Sequence, residues 1–279
     1  MKSTIKEDFF NDNQQTAAVA TATANRLVVL GDVHGRVSWH QVVAAHPEAR
    51  FLFLGDYCDP HVRPDAPTDD ELVENLLHLI DFKKQHPDKV TLLLGNHDIH
   101  YLLPHLPRGC RYNEKLAGTL TQVFQANSSL FDYVHACNKL LFLHACVQRS
   151  WFEEDFKGDL RQPVAPQLEA RKDDPTLYQL GIPRGGTFTH GGMFWADMEE
   201  ITPSDLLPGY IQIVGHNRVR SIRVIGDSLA STGHLIFCDS LYNDNYLIID
   251  NPQSARPQFY AVSLKQPDEL VSLNSEISF

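Results

Sequence analysis

An α/β fold built on a largely parallel or mixed sheet is what this sequence predicts, and three observations predict it. Short continuous apolar runs recur along the chain, helical patterns lie between the first of them, and the early runs end in Asp-, His- or Asn-bearing turns. Strand, loop, helix, strand is the βαβ rhythm, and in such sheets ligands gather beyond the carboxyl ends of the strands.

The apolar runs are residues 27–30, 51–54, 90–94, 140–143, 211–214, 235–237 and 246–249. Their continuity fits strands buried on both faces rather than amphipathic surface strands. A short helix is expected over 38–46. A longer one opens with the capping box Thr68-Asp69-Asp70-Glu71, carries Leu72, Leu76, Leu79 and Ile80 at helical spacing, and stops at Pro87. A third helical region is expected over 114–134. From 148 to 189 the periodicity fades among charges and prolines, which predicts an inserted lid or substrate-facing segment. The organisation expected is a polar tail over 1–25, one domain over 26–265 and a C-terminal tail over 266–279.

Bulk properties exclude several classes. With 279 residues the chain affords a sizeable core, and 43% apolar against 21% charged residues is ordinary for a soluble globular protein. No apolar run approaches the roughly 20 residues that a membrane helix needs. The polar, Ala/Thr-rich start has neither the basic region nor the apolar stretch of a signal peptide or anchor, and a cytoplasmic location is expected. A net charge of −11 argues against broad binding to nucleic acid or anionic membrane, yet it is compatible with a local pocket of metal ions. The five cysteines are widely spaced without a Cys-x-x-Cys pair, so buried reduced thiols are expected rather than disulfides or a zinc ribbon.

Chemistry concentrates in three segments: Gly31-Asp32-Val33-His34-Gly35, Gly55-Asp56-Tyr57-Cys58-Asp59 and Gly95-Asn96-His97-Asp98. Each places oxygen or imidazole ligands where an apolar run ends. Asp32 and His34, two residues apart across a glycine-flanked turn, can reach one ion, and the Asp56 carboxylate can bridge two. Asn96 adds a neutral amide oxygen. His144 and His216 each follow a further apolar run. A mixed oxygen and nitrogen donor set of this kind suits Mn²⁺, Fe or Zn²⁺ rather than a thiolate zinc site.

The order Gly-Asp-x-His, Gly-Asp-x-x-Asp, Gly-Asn-His-Asp, strand-His and Gly-His, spanning Asp32 to His216, resembles the calcineurin-like metallophosphoesterases. Its spelling is closest to the serine/threonine phosphatase branch, and Gly-Asn-His-Asp followed by Ile99-His100 is also similar to bacterial diadenosine tetraphosphate hydrolases. The resemblance implies a central β-sandwich of mixed sheets flanked by helices, in four layers (α/β/β/α). It implies two divalent metal ions, with manganese expected first and iron or zinc as alternatives. Asp32, His34 and Asp56 would hold one ion, and Asp56, Asn96, His144 and His216 the other. Water activated between the ions would attack phosphorus in line, and His97, oriented by Asp59, would protonate the leaving group.

The sequence departs from the family at three places. Pro60 stands where the phosphatases carry a phosphate-gripping arginine, which leaves Arg36, Arg63, Arg184 or His61 as replacements. Asn217 follows His216 where a second histidine would complete a nuclease-like site, and Ala145-Cys146 follows His144 where Gly-Gly is usual. His190-Gly191-Gly192 imitates the family's fifth-ligand motif, but no apolar strand precedes it, so His144 is preferred as the ligand. The reaction expected is metal-dependent hydrolysis of a phosphate monoester on a phosphorylated small molecule or phosphoprotein. A dinucleoside polyphosphate or cyclic nucleotide hydrolase is the alternative, and a non-catalytic scaffold a third, disfavoured because every ligand type is present.

Overall fold

Two sheets face each other at the centre of the molecule, which is a computed structural model describing residues 25–106, 108–226 and 233–277. The first sheet begins with β1 (Arg26–Leu30), β2 (Arg50–Phe53), β3 (Val90–Leu93) and β4 (Phe131–Asp132), all parallel. On the other side of β1 it continues antiparallel through β10 (Asn245–Asp250), β11 (Gln258–Ser263) and β12 (Gln266–Ser272). The second sheet runs in the order β5 (His135–Cys137), β6 (Leu140–Leu143), β7 (Ile211–Val214), β9 (His234–Phe237) and β8 (Arg223–Gly226). Within it β6, β7 and β9 are parallel.

Side chains alternate across each strand, so each run serves two cores. Leu27, Val29, Leu52, Leu93, Leu247 and Ile249 from the first sheet meet Phe142, Ile211, Ile213 and Ile236 from the second in the layer between the sheets. On the outer face of the first sheet, Val28, Phe51 and Phe53 cluster with Val42 of α1 (Trp39–Ala45) and with Leu76, Leu79 and Ile80 of α2 (Asp69–Gln85). Thr68 closes the expected capping box: its Oγ1 accepts from Glu71 N, and the Glu71 carboxylate accepts from Thr68 N at 2.8 Å. The expected β-sandwich flanked by helices is therefore the observed fold.

Three local readings differ. The third helical region is α4 (Ala117–Ala126) alone; Asn113 Oδ1 accepts from Lys115 N and Leu116 N in a turn before it, and the chain then leaves for β4. Asn96–Leu102, read as a metal motif, is also a helix, α3. Residues 148–189, expected as a lid or substrate-facing segment, build part of an outer layer. Their π-helical turn Trp151–Asp155 and α5 (Val164–Glu169) bury Trp151, Phe152, Phe156 and Leu168 in the cluster that holds Leu141 and Leu143 of β6. Residues 266–272, read as tail, form β12, and Leu273 and Ile277 beyond it pack between the sheets. The expected tail over 1–25 lies, apart from Asn25, outside the described residues. All five cysteines are free thiols, and among the described residues no helix is long and apolar enough to cross a membrane.

Candidate metal centre

The carboxyl ends of β1, β2, β3, β6 and β7 converge on one buried cluster. Val33 N and His34 N donate to Asp56 O at 3.1 and 2.7 Å, which stitches the first motif to the second. Asp98 ties the second to the third. Its carboxylate accepts from Asp56 N at 2.7 Å, from Tyr57 N at 2.9 Å and from Gly95 N at 2.9 Å. His34, Asp56, Asp59 and His216 all adopt left-handed backbone, with φ of 45°, 53°, 53° and 61°. Such conformations cost of order 1–3 kcal/mol each and gather at functional sites. Gly95 is required here for space: a Cβ on it would stand 2.1 Å from Asp56 Oδ1.

The imidazoles are oriented by the main chain. His34 Nδ1 donates to Cys58 O at 2.8 Å and His144 Nδ1 to Leu54 O at 2.8 Å. A carbonyl only accepts, so both protons sit on Nδ1 and both Nε2 lone pairs face the cluster. His34 Nε2 meets Asp32 Oδ2 at 3.8 Å and Asp56 Oδ2 at 3.6 Å. His144 Nε2 meets Asn96 Oδ1 at 2.9 Å and Asp56 Oδ1 at 3.5 Å. His216 Nδ1 is 2.9 Å from the same Asn96 oxygen, its backbone N–H donates to Asp32 Oδ1 at 3.0 Å, and its buried Nε2 has no hydrogen-bond partner.

The cluster is therefore rich in acceptors, and the donors that reach its carboxylates are backbone groups, His216 N to Asp32 Oδ1 at 3.0 Å and His97 N to Asp56 Oδ1 at 2.8 Å. Burial, then the neighbouring carboxylates, pushes Asp32 and Asp56 well above the ordinary carboxylate range. Burial likewise pushes His34 and His216 well below the imidazole range and His144 down to about 3, so all three are neutral donors. The cluster's oxygen and neutral-imidazole donors fit divalent metal ions. Asp32, Asp56 and His144 present ligand atoms mutually within 4.8 Å.

Residues 25–216 match the calcineurin-like phosphoesterase family. The chain belongs to that family. It is 25% identical over 202 residues to the serine/threonine-protein phosphatase 4 catalytic subunit of Eremothecium gossypii, covering 69% of this chain and 56% of that one. It is 29% identical over 115 residues to the serine/threonine-protein phosphatase PP2A-like PPG1 of Saccharomyces cerevisiae, covering 40% of this chain and 29% of that one. The matched regions thus span less than two thirds of either relative. Among solved structures, a cold-active protein tyrosine phosphatase shares the fold with a TM-score of 0.56 at 15% identity, over 89% of this chain and 78% of that one.

In this member of the calcineurin-like phosphoesterase family, Asp59 and His97 lie beside the candidate metal cluster. His97 Nδ1 donates to Asp59 Oδ2 at 2.8 Å, Tyr101 OH donates to Asp59 Oδ1 at 2.5 Å, and His100 Nε2 lies 3.0 Å from Asp59 Oδ2. Burial raises the Asp59 carboxyl, but its contacts with His100, His97 and Tyr101 outweigh it and hold the group below the usual range. Asp59, His97 and His100 also come within ligand range of one another. Of the two imidazoles, His97 makes a hydrogen bond to Asp59 at 2.8 Å, whereas His100 Nε2 stands 3.0 Å from the same carboxylate without completing one. His190, the motif imitation, lies apart, 3.4 Å from Ser150 Oγ.

The candidate arginines separate. Arg184 lines the cavity of about 310 Å³ over the cluster and pairs with Asp197 at 2.5 Å. Arg36 and Arg63 line a neighbouring open cavity of about 830 Å³ instead, Arg63 lying 3.5 Å from Asp65. Sequence reasoning missed Arg111, Arg218 and Asp239, which line the smaller cavity. Asp239 carried the same signal as the recognised ligands, following the apolar run 235–237 by two residues. Arg218 stands two residues after His216, whereas nothing local marks Arg111.

Proposed function

We propose that this protein hydrolyses phosphate monoesters, phosphoprotein side chains among them, at a dinuclear metal centre for which manganese is the expected ion. The observation that carries the reading is the shared Asp56 carboxylate, one oxygen 3.6 Å from His34 Nε2 and the other 3.5 Å from His144 Nε2. Asp32, His34 and Asp56 would hold one ion, and Asp56, Asn96, His144 and His216 the second. When bound, such a pair supplies Lewis acidity toward phosphoryl oxygens and an activated water.

The rest falls to the protein. Asp59 fixes the Nδ1 proton of His97 and partly offsets the burial that lowers this imidazole below its ordinary range. His97 Nε2 is therefore the atom that, once it has taken up a proton from solvent, would deliver it to the departing alkoxide. Leu54 O and Cys58 O keep two imidazole lone pairs aimed inward without reorganisation. No side-chain nucleophile is required, and the buried thiols of Cys58 and Cys146, both pushed up by burial, are unsuited to that role. The serine/threonine phosphatase relatives support a phosphoprotein substrate.

The reading is tested by hydrolysis of p-nitrophenyl phosphate and of its bis-ester by metal-stripped protein refilled with Mn²⁺. Metal-dependent release from the monoester is expected. A preference for the bis-ester would replace the monoesterase reading with a diesterase acting on cyclic or bridged nucleotides.

A further inference from the structure

Arg111 lines the site cavity between two imidazoles. Its Nη2 lies 3.0 Å from His97 Nε2, and its Nη1 hydrogen-bonds with His61 Nδ1. Among the described residues Arg111 makes no ion pair with a carboxylate, whereas Arg184 is held by Asp197, and Arg218 stacks at 3.5 Å over the Tyr242 ring. The Arg111 Nε is buried without a hydrogen-bond partner. Two imidazoles are weak company for a guanidinium whose fork matches a phosphate bidentately.

The loop holds this side chain in place. Gly109 N donates to His100 Nδ1 at 3.3 Å, and Asn113 N to Tyr101 OH at 2.9 Å, so the segment is pinned on both sides of Arg111 to helix α3. The Arg111 backbone itself is left-handed, with φ of 69°, an uncommon conformation for a residue with a side chain. Pro60 stands where the second motif would otherwise supply a guanidinium.

We infer that Arg111 is the phosphate anchor of this site, taking two non-bridging oxygens of a phosphomonoester dianion in place of the arginine missing at position 60. The inference rests on the proposed phosphoesterase reading. Engaging the ester withdraws the guanidinium from His97 Nε2, which then faces the leaving group unobstructed. A monoester dianion offers the oxygens for this grip together with the metal centre; a diester, with one fewer free oxygen, offers less. Arg111 thus biases the site toward monoesters.

Cys110 supplies a reporter, being the exposed thiol beside Arg111 on the same cavity while the other four cysteines are buried. With Mn²⁺ bound, inorganic phosphate is expected to slow alkylation of Cys110 by iodoacetamide, read by intact mass. Arg111→Gly suits the left-handed backbone, so it is expected to retain metal content and melting temperature. It should require roughly 10- to 100-fold more phosphate for the same protection and show a matching rise in KM for p-nitrophenyl phosphate. Arg111→Lys should recover part of both. Unchanged phosphate affinity and KM in Arg111→Gly, with the wild type hydrolysing the monoester normally, would overturn the anchor alone. A wild type that binds metal but neither phosphate nor ester would overturn the phosphoesterase reading and the anchor together.

Discussion

Single side chains do separable work in this site. Asp98 touches no candidate ligand atom, yet it gathers the backbone N–H groups of Asp56, Tyr57 and Gly95 and so fixes how two motifs meet. Asp98→Ala would leave buried donors unpaired at about 1–3 kcal/mol each, and supporting residues of metal sites typically cost 10–100-fold in affinity. The variant is therefore expected to melt several degrees lower and to bind metal at least about tenfold more weakly. Calorimetry with metal titration checks this, and wild-type values for both would remove Asp98 from the scaffold. His97 stands on the other side of the division. His97→Ala is expected to keep its metal while turnover falls by roughly 10²–10⁴, most for poor leaving groups. Loss of metal with the activity would make His97 a ligand instead.

At the scale of elements, the strand ends were legible because coordination chemistry writes itself into sequence. Hard oxygen and imidazole donors right after an apolar run are conspicuous, and Asp32, Asp56, Asn96, His144 and His216 were all marked that way. Strands made by their neighbours were not. β4 is two residues long and β12 is mostly exposed and opens on Gln266-Pro267-Asp268; their identity comes from pairing with β3 and β11 rather than from periodicity. Arg111 was invisible for a related reason, since only the fold of the loop after α3 brings it against His97. The C-terminal reading has a measurable consequence. Ending the chain at residue 265 removes β12 together with Leu273 and Ile277 from between the sheets. At about 1.5–3 kcal/mol for each buried side chain, that truncation should cost several kcal/mol in chemical denaturation. A shortened chain as stable as the full one would mean that residues 266–277 contribute nothing to the core.

The whole molecule is two sheets packed so that several strand ends meet in one acceptor-rich cluster, with an apolar layer between the sheets. That arrangement concentrates buried carboxylates and neutral imidazoles where the family places two ions, and it does so in a chain of net charge −11. Asp32 and Asp56 are buried near Asp239 and Asp98, which disfavours their charged forms. Metal is thus expected to stabilise the fold as well as to serve the chemistry, in proportion to its occupancy. The most direct measurement is the metal stoichiometry and p-nitrophenyl phosphate turnover of the wild type and Asp56→Asn, titrated with Mn²⁺ after chelation. Two ions per wild-type chain, turnover rising with their occupancy, and loss of both tight binding and turnover in Asp56→Asn are predicted. Full turnover in Asp56→Asn, or two tightly bound ions in the wild type with no turnover of any phosphate ester, would contradict the shared-carboxylate centre as the seat of catalysis.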